Sequence, residues 1–280
     1  GADDPLVSPF LQLLANARRL AGQLREAVPP LERALALDER AHGAAALPVA
    51  TSLNTLAVAL LGRDEPGDAE RATALLQRAL AIREATLAAD APELGVSLVN
   101  LAAAYDQLGR AAEALPLHRR AVAFVERVRG PDDARTALAI NNLAETLGTL
   151  GQLHEALVLH RRALAIREAQ LGPDHPETAV SLNNLGDLLD TLGRPAEALP
   201  LKRRAFELQR ASLSPDHPAT LASQGNLAYL LGAMQRMDEA LALARDALER
   251  CLRTQGETAA ITGLALNRLA WLHLQRGAYD

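Results

Sequence analysis

The stretch Thr178–Pro218, TAVSLNNLGDLLDTLGRPAEALPLKRRAFELQRASLSPDHP, is the unit from which the rest of the chain is built. The pair Asn184-Leu185 makes the repetition measurable. Asn100-Leu101, Asn142-Leu143, Asn226-Leu227 and Arg268-Leu269 stand in register with it, since 142−100, 184−142, 226−184 and 268−226 all equal 42. A fixed period of this size specifies a stack of identical supersecondary units, each packed on its neighbours. Within the unit, Leu182, Leu185, Leu189 and Leu192 are spaced 3, 4, 3 and mark one face of a helix A. Gly193-Arg194-Pro195 breaks that pattern, and Ala198, Leu201, Ala205 and Leu208 begin a second 3, 4, 3 stripe, helix B. Pro200, like Pro116 and Pro29-Pro30, is placed near the first turn of helix B, where backbone N–H groups have no intrahelical acceptor.

Asn184-Leu185-Gly186, Gly193, Glu197-Ala198 and Arg204-Ala205 resemble the tetratricopeptide repeat. The longer unit, with Leu182-Asn183-Asn184-Leu185 and the linker Gly172-Pro173-Asp174-His175-Pro176, is most similar to the kinesin-light-chain subtype. HEAT and armadillo repeats have comparable periods. The recurrence of Ala198 and Ala205 as Ala114 and Ala121, and as Ala156 and Ala163, favours the tetratricopeptide form, in which small residues let the two helices approach. The resemblance implies an all-α fold, a right-handed superhelical α-solenoid of helix-turn-helix units. The period divides residues 1–280 into a single array with repeats near 6–47, 48–93, 94–135, 136–177, 178–219 and 220–261, and a helix A at 262–280. Repeat 1 is degenerate, with Leu13-Leu14-Ala15 at the Asn-Leu-Ala position. Repeat 2 carries three extra residues, placed in the loop-like Gly62–Asp68. Arg276–Asp280 reads as the inter-helix turn of a seventh unit.

Composition narrows the function. The net charge of −5 gives no basic footprint for nucleic acid. No apolar run reaches the roughly 18 residues of a membrane span, and no signal-peptide pattern opens the chain. Cys251 is the only cysteine, so a cytoplasmic location is the default. The chain shows no phosphate-cradling loop, metal-ligand cluster or nucleophile motif, so a non-enzyme without cofactor or metal is expected. His175 and His217 sit in Asp-His-Pro linkers, where Asp174 and Glu177 read as a capping box. His118, His160 and Lys202 share one helix B position, which the lysine marks as solvated. The pairs Arg119-Arg120, Arg161-Arg162 and Arg203-Arg204 read as a solvated helix B surface of mixed charge.

Helix A carries the functional expectation. Asn184, Asp187 and Thr191 are spaced 3 and 4 and share a second face, opposite the Leu stripe. The resemblance implies that this face lines a concave groove holding a peptide. Asn100, Asn142, Asn184 and Asn226 then form an amide row along it, with Asn54, Asn141, Asn183 and Asn267 one position earlier. An amide both donates and accepts, so it pairs with a peptide backbone of any sequence, and pairing between neighbouring helices stays open beside that role. The residues three positions on would select the peptide: Glu145 and Asp187 in an acidic middle, then Tyr229 and Trp271 with Arg268 close by. Packing of Trp271 on a further helix stays open for that residue. The reading is a non-catalytic module for a protein or peptide partner that is basic with an apolar anchor, and self-association stays open. The alternative is a sensing or oligomerisation arm of a larger signalling protein whose ATPase or protease domain lies outside these residues.

Overall fold

The computed structural model describes residues 6–279. Among them are thirteen α-helices and no strand: α1 (Val7–Leu20), α2 (Leu24–His42), α3 (Leu47–Arg63), α4 (Asp68–Thr86), α5 (Pro92–Gln107), α6 (Ala111–Arg129), α7 (Ala134–Thr149), α8 (Leu153–Leu171), α9 (Pro176–Thr191), α10 (Pro195–Ser212), α11 (Pro218–Ala233), α12 (Met237–Gln255) and α13 (Ala260–Tyr279). They fall into two compact units that divide after Pro131: α1–α6 form the first and α7–α13 the second. Within each unit, consecutive helices pack on one another and alternate odd-numbered helices also touch. The fold class is all-α, built of helix hairpins. The turn expected over residues 276–280 is helical as far as Tyr279, and Asp280 lies outside the described residues.

Two alanine columns bring helix B against its neighbours. Ala27, Ala72, Ala114, Ala156, Ala198 and Ala240 are all 0% exposed, and seven residues on, Ala34, Ala79, Ala121, Ala163, Ala205 and Ala247 expose 2% or less. Where the columns leave room, the hairpins match large side chains to small ones. Ala50 packs with Ile82 in α3–α4, and Ala179 with Leu208 in α9–α10. In α5–α6 the same place holds Gly95 and Phe124, and a Cβ on Gly95 would lie 2.6 Å from the ring. In α11–α12 the helix A residue is Leu221, and the helix B residue is Arg250, which turns out to Asp216 and Asp246.

Successive hairpins are joined by a buried polar column. Arg83 Nη1 donates to Ser97 Oγ at 2.6 Å, and Arg167 Nη1 donates to Ser181 Oγ at 2.7 Å. Ser52 donates to Asp38, and Ser223 to Gln209. At the next place both members are apolar, and Cys251 packs with Ala265. A buried polar group without a partner costs about 1–3 kcal/mol, so the pairs must change together.

Two local expectations are corrected. Helix B starts directly after the turn, so Pro200 of α10, Pro116 of α6 and Pro29-Pro30 of α2 lie inside their helices, beyond the first turn. Each costs a backbone bond; Pro29, Pro116 and Pro200 are exposed, and Pro30 is buried. The cap of α9 is His175 and not Asp174: its Nδ1 accepts from the Glu177 N–H at 3.2 Å. His217 does the same for α11 at 3.1 Å, and Asp133, in register, caps α7 at 2.8 Å. The imidazole Nδ1 supplies the acceptor that Asp or Ser usually gives.

The turns from helix A to helix B place glycine in the left-handed region, as at Gly193 with φ 70°. In the α11–α12 turn Gln235 adopts φ 65° in the same role, closed by the Arg236 N–H to Leu231 O bond.

The size matching gives the first prediction. Gly95→Ala forces the Cβ into the Phe124 ring and lowers stability by about 1–3 kcal/mol. Adding Phe124→Ile, the pairing that Ala50 and Ile82 already use, recovers most of that loss. Thermal melts of the single and double variants measure it, and equal melts for parent and Gly95→Ala would overturn the packing account.

Candidate functional site

The odd-numbered helices of the second unit, α7, α9, α11 and α13, carry most of the residues that the sequence singled out. Asn142, Asn184, Asn226 and Arg268 occupy one half-buried column. Asn184 Nδ2 donates to Glu145 Oε1 of the preceding helix A at 2.5 Å, and the Arg268 guanidinium donates to Asn226 Oδ1 and to the Ala222 carbonyl. In the first unit the matching contact is Asn100 Nδ2 to Asn54 Oδ1 at 2.9 Å. Each of these bonded amides therefore spends one half on a neighbouring helix A.

The column one position earlier lies inside the stack. Asn141 and Asn183 are only 3% and 9% exposed. Asn141 donates to Ser181 Oγ at 3.0 Å and meets His160 Nδ1 at 3.0 Å; Asn183 donates to Ser223 Oγ at 2.5 Å. Inter-helix pairing, the role left open for these amides, is what they perform. Asn267 of the same column is exposed. Between Asn183 and Asn267 the series is broken by Gly225, because a Cβ there would collide with Arg268.

Two depressions lie on this face. One of about 350 Å³ is bounded by Glu145, Thr149, His160, Asn184, Asp187 and Thr191. The other, of about 460 Å³, is bounded by Asp187, Asp190, Thr191, Asn226, Tyr229, Asn267, Arg268 and Trp271, with Lys202 beneath. Asp187 and Thr191 border both, so the two adjoin. The Tyr229 and Trp271 rings stack with centroids 4.5 Å apart and planes tilted by 34°. Tyr229 is 41% exposed, and Trp271 packs on the core of α11 and α12.

The charge of this face departs from the expected acidic middle. His118, His160 and Lys202 are 2–3% exposed, not solvated. Each reaches from helix B through to the helix A face. His118 Nε2 lies 2.7 Å from Asp106 Oδ2, and Lys202 Nζ pairs with Asp187. The stem of Lys202 fills the space left by Gly186, where a Cβ would lie 2.8 Å from its Cγ. The same column holds Leu31, Leu76 and Ala244, all buried, and that is the signal that marks it as interior. Burial pushes the His160 pKa down to about 4, against a smaller opposing pull from Asp187, so this ring is neutral at pH 7. Burial also lowers the Arg268 pKa, again opposed by Asp187. Lys202 and Arg268 thus form the floor and the carboxylates of Glu145, Asp187 and Asp190 the outer rim. Among the described residues no group of three or more His, Cys, Asp or Glu side chains is placed to hold a metal ion, and no helix is long and apolar enough to cross a membrane.

A family profile described as Tetratricopeptide repeat matches residues 65–127, 107–169, 134–211 and 219–280. The chain belongs to the tetratricopeptide repeat family. Members of this family are typically non-catalytic scaffolds for protein–protein interaction. Among solved structures, the chain is similar to a Podosopora anserina putative kinesin light chain with nearly identical TPR-like repeats. The two are 28% identical, with 73% of this chain and 96% of that one covered and a TM-score of 0.62. BtubC (BKLC) from P. vanneervenii shares the fold at 22% identity over 85% of this chain and 92% of that one, with a TM-score of 0.67. No significant match was found among curated protein sequences.

The buried imidazole gives a pH prediction. The folded pKa of His160 lies below its ordinary 6.5, so between about pH 6.5 and 4 the unfolded chain binds the extra proton. The stabilisation is complete above pH 6.5 and is lost as pH falls toward 4, a change on the order of 3 kcal/mol. His160→Leu, the residue of the same column in α2 and α4, removes this part of the acid sensitivity. Urea unfolding from pH 7 to 4.5 measures it; the same slope in parent and variant would overturn the assignment.

Proposed function

We propose that the helix A face of the second unit holds a segment of another protein in extended form. The observation that carries this reading is the pair of adjoining depressions, which combine half-used amides, rim carboxylates and a stacked aromatic pair. Asn184 and Asn226 each keep one half of the amide for a visitor, and Asn267 keeps both, enough for backbone bonds worth about 0.5–1.5 kcal/mol each. Asn142 belongs to the same row, and Asn54 with Asn100 repeats the arrangement in the first unit. The exposed side of Tyr229 and Trp271 takes an apolar side chain. The rim formed by Glu145 and Asp190 favours a basic one, through an attraction that salt weakens. Asp187 acts differently: its carboxylate balances the buried Lys202, so it positions the floor of the site and is a poor place to test charge preference.

Selection of peptides from a random display library on the parent protein tests this, with Trp271 as fluorescence reporter. Enriched peptides carry Arg or Lys near an apolar residue and bind less tightly as salt rises. Tyr229→Ala weakens them about tenfold or more, and Glu145→Lys with Asp190→Lys removes the preference for basic residues while the thermal melt is retained. Peptides that bind both variants as tightly as the parent would refute the site.

A further inference from the structure

Leu138 of α7, Val180 of α9 and Leu264 of α13 share one helix position, four residues before the amide column, with Ala222 of α11 between them. The three large side chains expose 52%, 43% and 43% of their surface, and in α7 and α9 every other exposed side chain is polar. Val96 holds the same place in the first unit and is 50% exposed. Leu264 borders the larger depression beside Asn226, Tyr229 and Trp271, which joins this apolar row to the site. The amides next to the row are committed in opposite senses. Asn184 gives its Nδ2 to Glu145, so its Oδ1 is left to accept a backbone N–H. Asn226 receives Arg268 on Oδ1, so its Nδ2 is left to donate to a backbone C=O.

Given that this face holds a peptide, as proposed above, we infer its side-chain pattern: apolar and basic residues alternate over α7 and α9. Over α11 and α13 the peptide is apolar on both sides. An extended segment that lies across the helices with its backbone edge on the amides turns successive side chains in opposite directions along them. One direction leads, about 6 Å along the helix, to the row of Leu138, Val180 and Leu264. The other leads, about 4.5 Å along, to Glu145, Asp187 and Tyr229. Beyond Asp187 this second row changes from carboxylates to the stacked rings of Tyr229 and Trp271, so the basic residues belong at one end only. An acidic visitor is repelled at Glu145. A helical visitor spends its own N–H and C=O groups internally and leaves the two amide halves without a partner.

Fluorescence anisotropy with two labelled synthetic peptides tests the pattern. Leu-Leu-Val-Arg-Val-Arg-Val-Leu-Leu reads the same in both directions, so its orientation on the site does not matter. Leu-Leu-Val-Val-Arg-Arg-Val-Leu-Leu has the same composition but turns one arginine toward the apolar row. The first binds about tenfold or more tighter than the second. Leu138→Gln with Val180→Thr lowers its affinity about tenfold and leaves both the salt dependence and the thermal melt unchanged. Equal binding of the two peptides, or full affinity in the row variant while Tyr229→Ala still weakens binding, would overturn the inference and leave the peptide site standing. Library-selected peptides with apolar residues every three or four positions, the period of a helix, would overturn it as well. Failure of both peptides together with an empty library selection would overturn the peptide site itself and the inference with it.

Discussion

The close approach of helix B to its neighbours is the constraint on which the rest of this structure depends. A single helix hairpin cannot cover its own apolar faces, so each relies on the hairpins beside it. Twelve alanines with almost no exposed surface set the distance at which this happens. At that distance a methylene more or less is felt, and the larger side chains between the columns must be traded against one another. Phe124 opposite Gly95 and Ile82 opposite Ala50 are two solutions of one volume problem.

Within that fixed spacing the repeats differ mainly in their buried polar residues. One column links hairpins through Ser52, Ser97, Ser181 and Ser223, and it becomes apolar on both sides at once at Cys251 and Ala265. A second column sends His118, His160 and Lys202 from helix B to the face of helix A. These residues make the face more than a surface of exposed side chains, since its amides and carboxylates are held in place from below. Exposed ion pairs such as Arg120 with Glu84 and Arg204 with Glu168 join successive helices B, but pairs of that kind contribute little on their own.

The period of the Asn-Leu pair was enough to read the hairpins, because hydrophobic spacing and glycine turns are local signals. Burial of polar residues was harder to read. Lys202 looked solvated because a lone lysine usually is; its interior position follows only when Leu31 and Leu76 are seen to share its column and Gly186 to make space for its stem. Asn183 and Asn184 are adjacent and chemically identical, yet one is sealed between helices and the other opens onto a depression. One residue turns a helical side chain by about 100°, and only the neighbouring helix decides which of the two it covers. The His175 cap is hidden in the sequence for another reason, since imidazole is a rare acceptor at a helix start and Asp174 beside it is a common one.

The glycines that make room for a large side chain differ in how far that partner lies along the chain. Gly95 with Phe124 and Gly186 with Lys202 are matched within one hairpin, while Gly225 and Gly232 are matched to Arg268 and Leu272 on the helix after the next. A hairpin such as α5–α6 or α9–α10 contains both halves of this fit. The α11–α12 hairpin contains only one, because its glycines are shaped for side chains of α13. Toward Arg268 the chain thus has a junction at which two adjacent units depend on each other for their shape.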